Sequence, residues 1–318
     1  MKKSFINRTH VEGYLYQHTL EEKVTGPGSK NPGTKYISGN IDIATDDEML
    51  NIVSVHYSYS TPLTSTGKSN ASYAILADIL SGKYGSVMAN GADQAVKLRI
   101  DSAFDLNEFY SDKNGQEELV SVKRNEGGFI HLTNELNADV NARNTFDCDM
   151  IITNVKEIEA DEEKNTPHKA VIKGCIFNFR NAMLPIEFSA TAPGAINYFL
   201  GLEASSSNPV FTRIKGNQIS TTISRTIEEE SAFGEASVRT VTSTRKDCVV
   251  NWAAKDTYVW DDESSITAAE FKKIISEREV YLATLKQNQD EYKAKKAQAN
   301  NALASAPAAS ATQSEFNF

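Results

Sequence analysis

Lys35 to Tyr59 reads KYISGNIDIATDDEMLNIVSVHYSY, and the fold turns on how that stretch alternates. Ile37, Gly39, Ile41 and Ile43 are spaced by Ser38, Asn40, Asp42 and Ala44, a period of two that puts one row of side chains on a buried sheet face. Thr45-Asp46-Asp47-Glu48 is polar and turn-prone, and Leu50 to Tyr59, rich in Val and Tyr, predicts the returning strand of a hairpin. Upstream, Val11 to Tyr16 alternates in the same way. Three consecutive strands therefore open the chain, the first two joined by a flexible loop.

That order resembles the oligonucleotide/oligosaccharide-binding (OB) barrel of bacterial-type single-stranded DNA-binding proteins. Asn7 and Val11-x-Gly13-x-Leu15 match in the first strand. In the second, Ile37-x-Gly39-x-Ile41-x-Ile43 runs into Ala44-Thr45, where the family commonly ends in a similar Leu-Ala-Thr triplet. The resemblance covers the first third of the chain, and other antiparallel barrels or sandwiches would share its residues. It implies that Lys23 to Lys35, which carries Lys23, Lys30 and Lys35 and no acid, is a loop gripping a nucleic-acid strand. A solvated hairpin loop is the alternative, and Glu21 and Glu22 just before it favour that. A helix over Ala71 to Leu80, stopped by Ser81-Gly82, falls between the third and fourth strands, where an OB fold places one. Val96 to Ile100 predicts the fourth strand; Phe104 to Tyr110 and Leu119 to Lys123 are less compact than the family's last strands and leave closure open.

The domain boundary is expected in the aperiodic Asn125 to Asn144, giving a first OB-like domain over 1–125 and a second over 145–262. Phe146 to Ile158, Lys169 to Phe179, Leu184 to Ala190, a short helix at Gly194 to Leu202, Val210 to Ile214, Gln218 to Ile227, Val238 to Val250 and Tyr258 to Trp260 repeat the strand-and-helix order of the first half. The predicted fold is mainly β: two OB-like antiparallel barrels in tandem, then an amphipathic helix over 264–292 and a disordered tail over 293–318. Thr267 and Glu270 form a capping box for that helix, and Phe271, Ile274, Ile275, Leu282 and Leu285 make its apolar stripe. It should pack on the second domain or against another copy of itself, which leaves a homo-oligomer open. The tail is rich in Ala, Ser, Asn and Gln, a composition too polar to order itself.

The chain has 318 residues and a net charge of −9. The charge argues against a uniformly basic protein, but a nucleic-acid groove depends on the local field. Cys148, Cys175 and Cys248 form no CxxC pair and read as core thiols in a reducing compartment. MKKSFINRTH lacks the apolar run of a signal peptide, and nothing approaches a membrane span, so a cytoplasmic location is expected. Two phosphate-loop near misses fail on chemistry. Gly28 to Lys35 has Thr and Lys in the wrong order before a strand, and Pro62 to Ser69 starts on Pro where the phosphate cradle needs Gly. The scattered histidines, with no HExxH, GxSxG or spaced Cys/His cluster, predict a non-enzymatic protein with neither cofactor nor metal.

From Lys164 to Ile227 seven basic residues face two acids, an excess of five positive charges in an acidic chain. Phe177, Phe179, Phe188, Tyr198, Phe199 and Phe211 lie among them. Cations that track phosphates beside aromatics on which bases stack are what a sequence-tolerant single-strand site requires, although each phenylalanine could instead fill a core. Candidate contacts are Tyr14, Tyr16, Lys23, Lys30, Lys35, Tyr36, Tyr57 and Tyr59 in the first domain, and Lys169, Lys173, Phe177, Phe179, Arg180, Arg213, Lys215 and Arg225 in the second. The chain ends Ser314-Glu315-Phe316-Asn317-Phe318. By resemblance to the acidic, phenylalanine-ended tips of the family, Glu315, Phe316 and Phe318 would recruit replication or recombination proteins; this tip has fewer acids and no Pro before its last Phe. The whole looks like a replication protein of the kind phages and plasmids encode. A β-rich structural or assembly protein of a virion is the competing reading.

Overall fold

The computed structural model describes residues 5–113, 116–161, 166–229, 237–262 and 265–304; side chains at 113, 222–229, 237–243 and 299–304 are not described. Among the described residues, eleven strands form one continuous hydrogen-bonded system. In the first half these are β1 (Asn7–His18), β2 (Glu21–Val24), β3 (Lys35–Ala44), β4 (Ile52–Ser60), β5 (Lys97–Lys113) and β6 (Gln116–Leu132). The second half holds β7 (Asn144–Ile158), β8 (Lys169–Phe177), β9 (Met183–Ala190), β10 (Val210–Glu229) and β11 (Ser237–Ala253).

The pairings close two five-stranded barrels, in the cyclic orders β1-β3-β4-β6-β5 and β7-β8-β9-β11-β10. In each, the third and fifth strands run parallel, Val55 against Asn125 in one and Val249 against Ser189 in the other. Every other pairing around the rings is antiparallel. Each barrel carries a helix between its third and fourth strands, α1 (Ala71–Leu80) and, past the single turn α2 (Val87–Asn90), α3 (Pro193–Gly201). That connectivity is the OB topology, twice. The duplication lies in strand order and not in repeated residues.

Closure bends the strands sharply, and glycine marks the places. A Cβ on Gly13, where β1 passes from β5 to β3, would sit 2.0 Å from the Ala44 carbonyl oxygen. On Gly216 it would meet the Val249 oxygen at 1.9 Å, at the bulge of β10. The alternation of β3 buries Ile37, Ile41 and Ile43 beside Val11, Leu15 and Leu98, with Leu76 and Ile79 of α1 packed on the same core. Each such side chain contributes about 1.5–3 kcal/mol when fully buried. The second core holds Phe146, Ile172, Phe188, Phe199 and Ile214, and Phe104 of β5 inserts into it. The barrels are therefore interlocked. Their first strands also pair directly, Asn7 with Cys148 through Val11 with Asn144.

Several expectations change. The loop between the first two strands includes β2, paired to β3. Val96–Ile100 and Phe104–Tyr110 are parts of one long strand, and β6 carries the first barrel past residue 125 to Leu132. Gly128, at φ 111°, lets β6 pass the Asp101 carbonyl there. Tyr258 and Trp260 belong to no strand; their hydroxyl and indole N–H bond Asp149 (2.9 Å) and the Pro209 oxygen (3.1 Å).

The last helix, α4, runs Ala268–Ala304, past the residue at which a tail was expected to begin, and residues 305–318 lie outside those described. Its capping box forms, with the Thr267 hydroxyl accepting from the Glu270 N–H at 3.1 Å. Phe271 and Ile274 pack with Ile266 over Ile151, Cys175, Phe177 and Phe211 on the outside of the second barrel. Farther on, α4 grips the β5–β6 arm of the first. Arg278 forks onto Glu108, Lys286 and Lys293 reach Glu117, and the Gln289 amide meets both backbone groups of Tyr110. Beyond Lys286, ion pairs take over from the apolar stripe.

Candidate nucleic-acid interface

Folding neutralises most of the cations that the sequence singles out. Lys23 pairs with Glu21 at 3.1 Å and Lys35 with Glu22 at 2.9 Å, on β2 and β3. In the second barrel, Lys169 reaches Asp247 at 3.3 Å and Lys173 reaches Glu187 at 2.6 Å. Arg213 forks onto Asp147 at 2.7 and 2.6 Å, and that carboxylate raises its pKa further. Lys215 stands 3.9 Å from Asp147 and 4.9 Å from the ring centroid of Trp252. Asp147 and Asp247 come from β7 and β11, outside the segment counted as basic, so its excess charge is largely compensated in three dimensions. The cations are also not gathered: Lys169 and Lys173 lie toward β9 and β11, Arg213 and Lys215 toward β7. The side chain of Arg225 lies outside those described, as do Glu315, Phe316 and Phe318.

Two aromatic candidates are core residues. Tyr57 is 4% exposed in the first core, and burial pushes its phenol pKa well up. Phe177, fully buried beneath the segment that leads into α4, stacks on Phe5 at 4.2 Å. Both sit on strands whose alternation, or whose covering element, turns them away from solvent. Phe188, Phe199 and Phe211 of the basic segment are buried in the cores as well, whereas the remaining candidate aromatics stay accessible. Tyr36 and Tyr59 form a tilted pair at 4.7 Å, and Tyr59 is 49% exposed. Tyr14 and Tyr16 are half-buried on β1, with Lys97 over the Tyr14 ring. Phe179, 88% exposed at the β8–β9 turn, carries the Arg180 guanidinium at 5.0 Å. Lys30 and Arg180 have no acidic partner among the described residues.

The structure adds residues that the sequence pattern does not single out. Lys123-Arg124 on β6 and Arg245-Lys246 on β11 are basic pairs, each on the fifth strand of its barrel, and the fold brings them to one cleft between the barrels. Lys123 donates to the Glu187 carbonyl of β9 at 3.1 Å, and Lys246 donates to the Ser54 hydroxyl of β4 at 2.9 Å. Each barrel thus extends a lysine from its fifth strand to the third strand of the other. Lys123 also lies 5.6 and 5.1 Å from the rings of Phe104 and Phe188. Neither lysine has a carboxylate in ion-pair range among the described residues. Arg124 meets Glu126 at 2.8 Å and Ser58 at 3.2 Å, and Arg245 meets Asp247 at 3.3 Å.

The polar face running from this cleft over β4 and β3 carries Ser54, His56, Ser58 and Asn40. The ring of His56 contacts Asn40 at 2.7 Å, and its pKa is lowered by burial and by Arg124, so it is neutral at physiological pH. A usable signal for the cleft was present in the two adjacent-base pairs. Sequence alone does not show that they meet.

Glu157, Glu159 and His168 bring ligand atoms within 4.8 Å of one another near the β7–β8 connection, but all three are exposed, and solvated groups of that kind are common. Among the described residues, no helix is long and apolar enough to cross a membrane.

Among solved structures, a deletion mutant of the single-stranded DNA-binding protein from Thermus aquaticus aligns with a TM-score of 0.43 and 9% identity, over 82% of this chain and 98% of that one. The wild-type form of the same protein aligns with a TM-score of 0.43 and 10% identity, over 80% and 95%. At that level the assignment of the barrels rests on the strand pairings and not on the alignment. No curated protein matches the sequence. The YorF family model matches residues 6–288, both barrels and much of the last helix, and the chain belongs to the YorF family.

Proposed function

We propose that the protein binds single-stranded DNA without catalysing a reaction, with each barrel acting as one binding domain, in the service of replication or recombination. The observation that carries this reading is the cleft between two OB barrels. Lys123 and Lys246, free of carboxylate partners among the described residues, face it from opposite sides, and the exposed rings of Tyr59 and Phe179 stand on barrel surfaces outside it. Cations there would follow the phosphates, and each base stacked on an aromatic would add about 1–3 kcal/mol whatever its identity. The acids distributed over the rest of the surface would disfavour a broad duplex face and leave a confined path.

The test is a gel shift with a single-stranded oligonucleotide beside its duplex over a series of salt concentrations. Preference for the single strand, with affinity falling as salt rises, is the expected result. Equal binding to both forms, or none at low salt, would favour a virion structural protein, a reading consistent with the extensive pairing of surface charges. The tip residues Glu315, Phe316 and Phe318 are assigned to recruiting partner proteins. Deleting residues 314–318 should leave strand binding intact while removing association with replication proteins; unchanged association would refute that assignment.

A further inference from the structure

Two buried side-chain amides form the floor of the cleft. Asn125 (4% exposed) and Gln218 (7% exposed) meet there, from β6 and β10. The Asn125 amide nitrogen donates both to the Ser54 carbonyl at 2.9 Å and to the Gln218 side-chain oxygen at 2.8 Å. That arrangement occupies one half of each amide. The Asn125 Oδ1, an acceptor, and the Gln218 Nε2, a donor, have no partner among the described residues, and neither has the hydroxyl of Ser220 beside them. Leaving such groups buried and unmet costs about 1–3 kcal/mol each. None of the three atoms is open to solvent, so a ligand meets them when the side chains turn toward the pocket they line, and that cost is then recovered. Ile52, Phe104 and Ile219 line the same pocket with apolar surface; Lys123, Arg124 and Lys246 line it with positive charge beside one carboxylate, Asp247, which Lys169 and Arg245 already engage.

Apolar walls, an amide acceptor beside an amide donor, and ammonium groups suit a flat heterocycle attached to a phosphate. A nucleobase has these properties. All four bases present a donor next to an acceptor on the Watson–Crick edge, so the pocket would require a base without choosing among them. We propose that one base of a bound single strand leaves the stack and seats in this pocket, its edge on Asn125 and Gln218 and its phosphates held by Lys123 and Lys246. This rests on the reading of the protein as a single-strand binder, and it goes further by giving one nucleotide a separate role from those that stack on exposed rings.

The experiment uses the full chain and an oligonucleotide of the minimum length that saturates it, with an abasic residue placed at each position in turn. One internal position should lose about fivefold or more in affinity beyond the others. A 2-aminopurine at that position should change its fluorescence as it unstacks on binding. Gln218→Glu keeps the oxygen that accepts from Asn125 but replaces the free donor with an acceptor. Affinity ratios among otherwise identical strands should then shift toward guanine at the sensitive position, because its edge offers two adjacent donors. If that variant does not fold, Ser220→Ala should reduce the abasic penalty at the same position.

Uniform losses along the strand, with intact strands still bound, would overturn the pocket and leave the binding function standing. An unchanged base ranking in a folded Gln218→Glu would do the same, as would an unchanged abasic penalty in Ser220→Ala. Failure of the wild type to bind any strand at low salt would remove the single-strand binding function, and the pocket with it.

Discussion

The ammonium of Lys246 donates to the hydroxyl of Ser54 at 2.9 Å, fastening the fifth strand of the second barrel to the third strand of the first. Lys123 makes the reciprocal contact with the β9 backbone at Glu187, at 3.1 Å. These contacts set the width of the cleft while leaving both positive charges without a carboxylate counterion among the described residues.

Replacing Lys123 and Lys246 together by alanine should therefore weaken single-strand binding and flatten its salt dependence. The slope of log affinity against log salt should fall by about 0.7 for each phosphate that the protein no longer neutralises. Each replacement also gives up one inter-barrel hydrogen bond, worth about 0.5–1.5 kcal/mol, so the melting temperature should fall modestly while the variant stays folded. Binding titrations at four or more salt concentrations, beside thermal unfolding, check both. Lys35→Ala, whose side chain is already paired with Glu22, should have the smaller effect on the slope.

The two neighbouring phenylalanines Phe177 and Phe179 should separate stability from binding. Phe177→Ala should cost about 3–5 kcal/mol, as a large side chain removed from a packed site. Phe179→Ala, at an exposed turn, should leave unfolding unchanged and cost about 1–3 kcal/mol in strand affinity if a base stacks there. Denaturant unfolding and fluorescence anisotropy on the same preparations decide the matter; unaltered affinity in folded Phe179→Ala would remove that residue from the interface.

Arg278 and Glu108 form an ion pair whose side chains are 10% and 2% exposed. Arg278→Ala leaves the Glu108 carboxylate buried without its partner and should destabilise the packing of α4 on the β5–β6 arm by about 3–5 kcal/mol. Hydrogen exchange along α4 and the arm should show faster opening in both. Protection unchanged from the wild type would mean that the apolar contacts of Phe271 and Ile274 hold the helix alone.

The pKa of Glu117 is lowered by hydrogen bonds from Lys286 and Lys293. A carboxyl whose pKa is lower folded than unfolded stabilises the fold above its unfolded value and loses that contribution as pH falls through the folded value. The C-terminal half of α4 should therefore loosen only in acid, below the ordinary glutamate range near 4.5. Digestion with an acid-active protease over that range should cut there first. In Glu117→Gln the pH dependence should be reduced, because the residue no longer titrates.

Sequence by itself determined several of the local elements. The alternation of Ile37, Ile41 and Ile43, the helix from Ala71 to Leu80 and the Thr267 capping box depend on neighbours in the chain, and the structure reproduces them. The order of strands and helices was enough to show a resemblance to the OB barrel. Tertiary structure alone decided the closure of both barrels, the extension of β6 to Leu132 and the identity of the free cations. Tyr57 and Phe177 read as possible stacking residues until the core and the segment leading into α4 covered them. Arg213 and Lys169 read as free charges until β7 and β11 supplied their acids. Lys123 and Lys246, far apart in sequence, became one site only when their strands met across the cleft. The physical reason is that side-chain alternation and capping act over a few residues. Burial and charge compensation are set by whichever strand lies alongside, and that neighbour is chosen by closing the whole barrel.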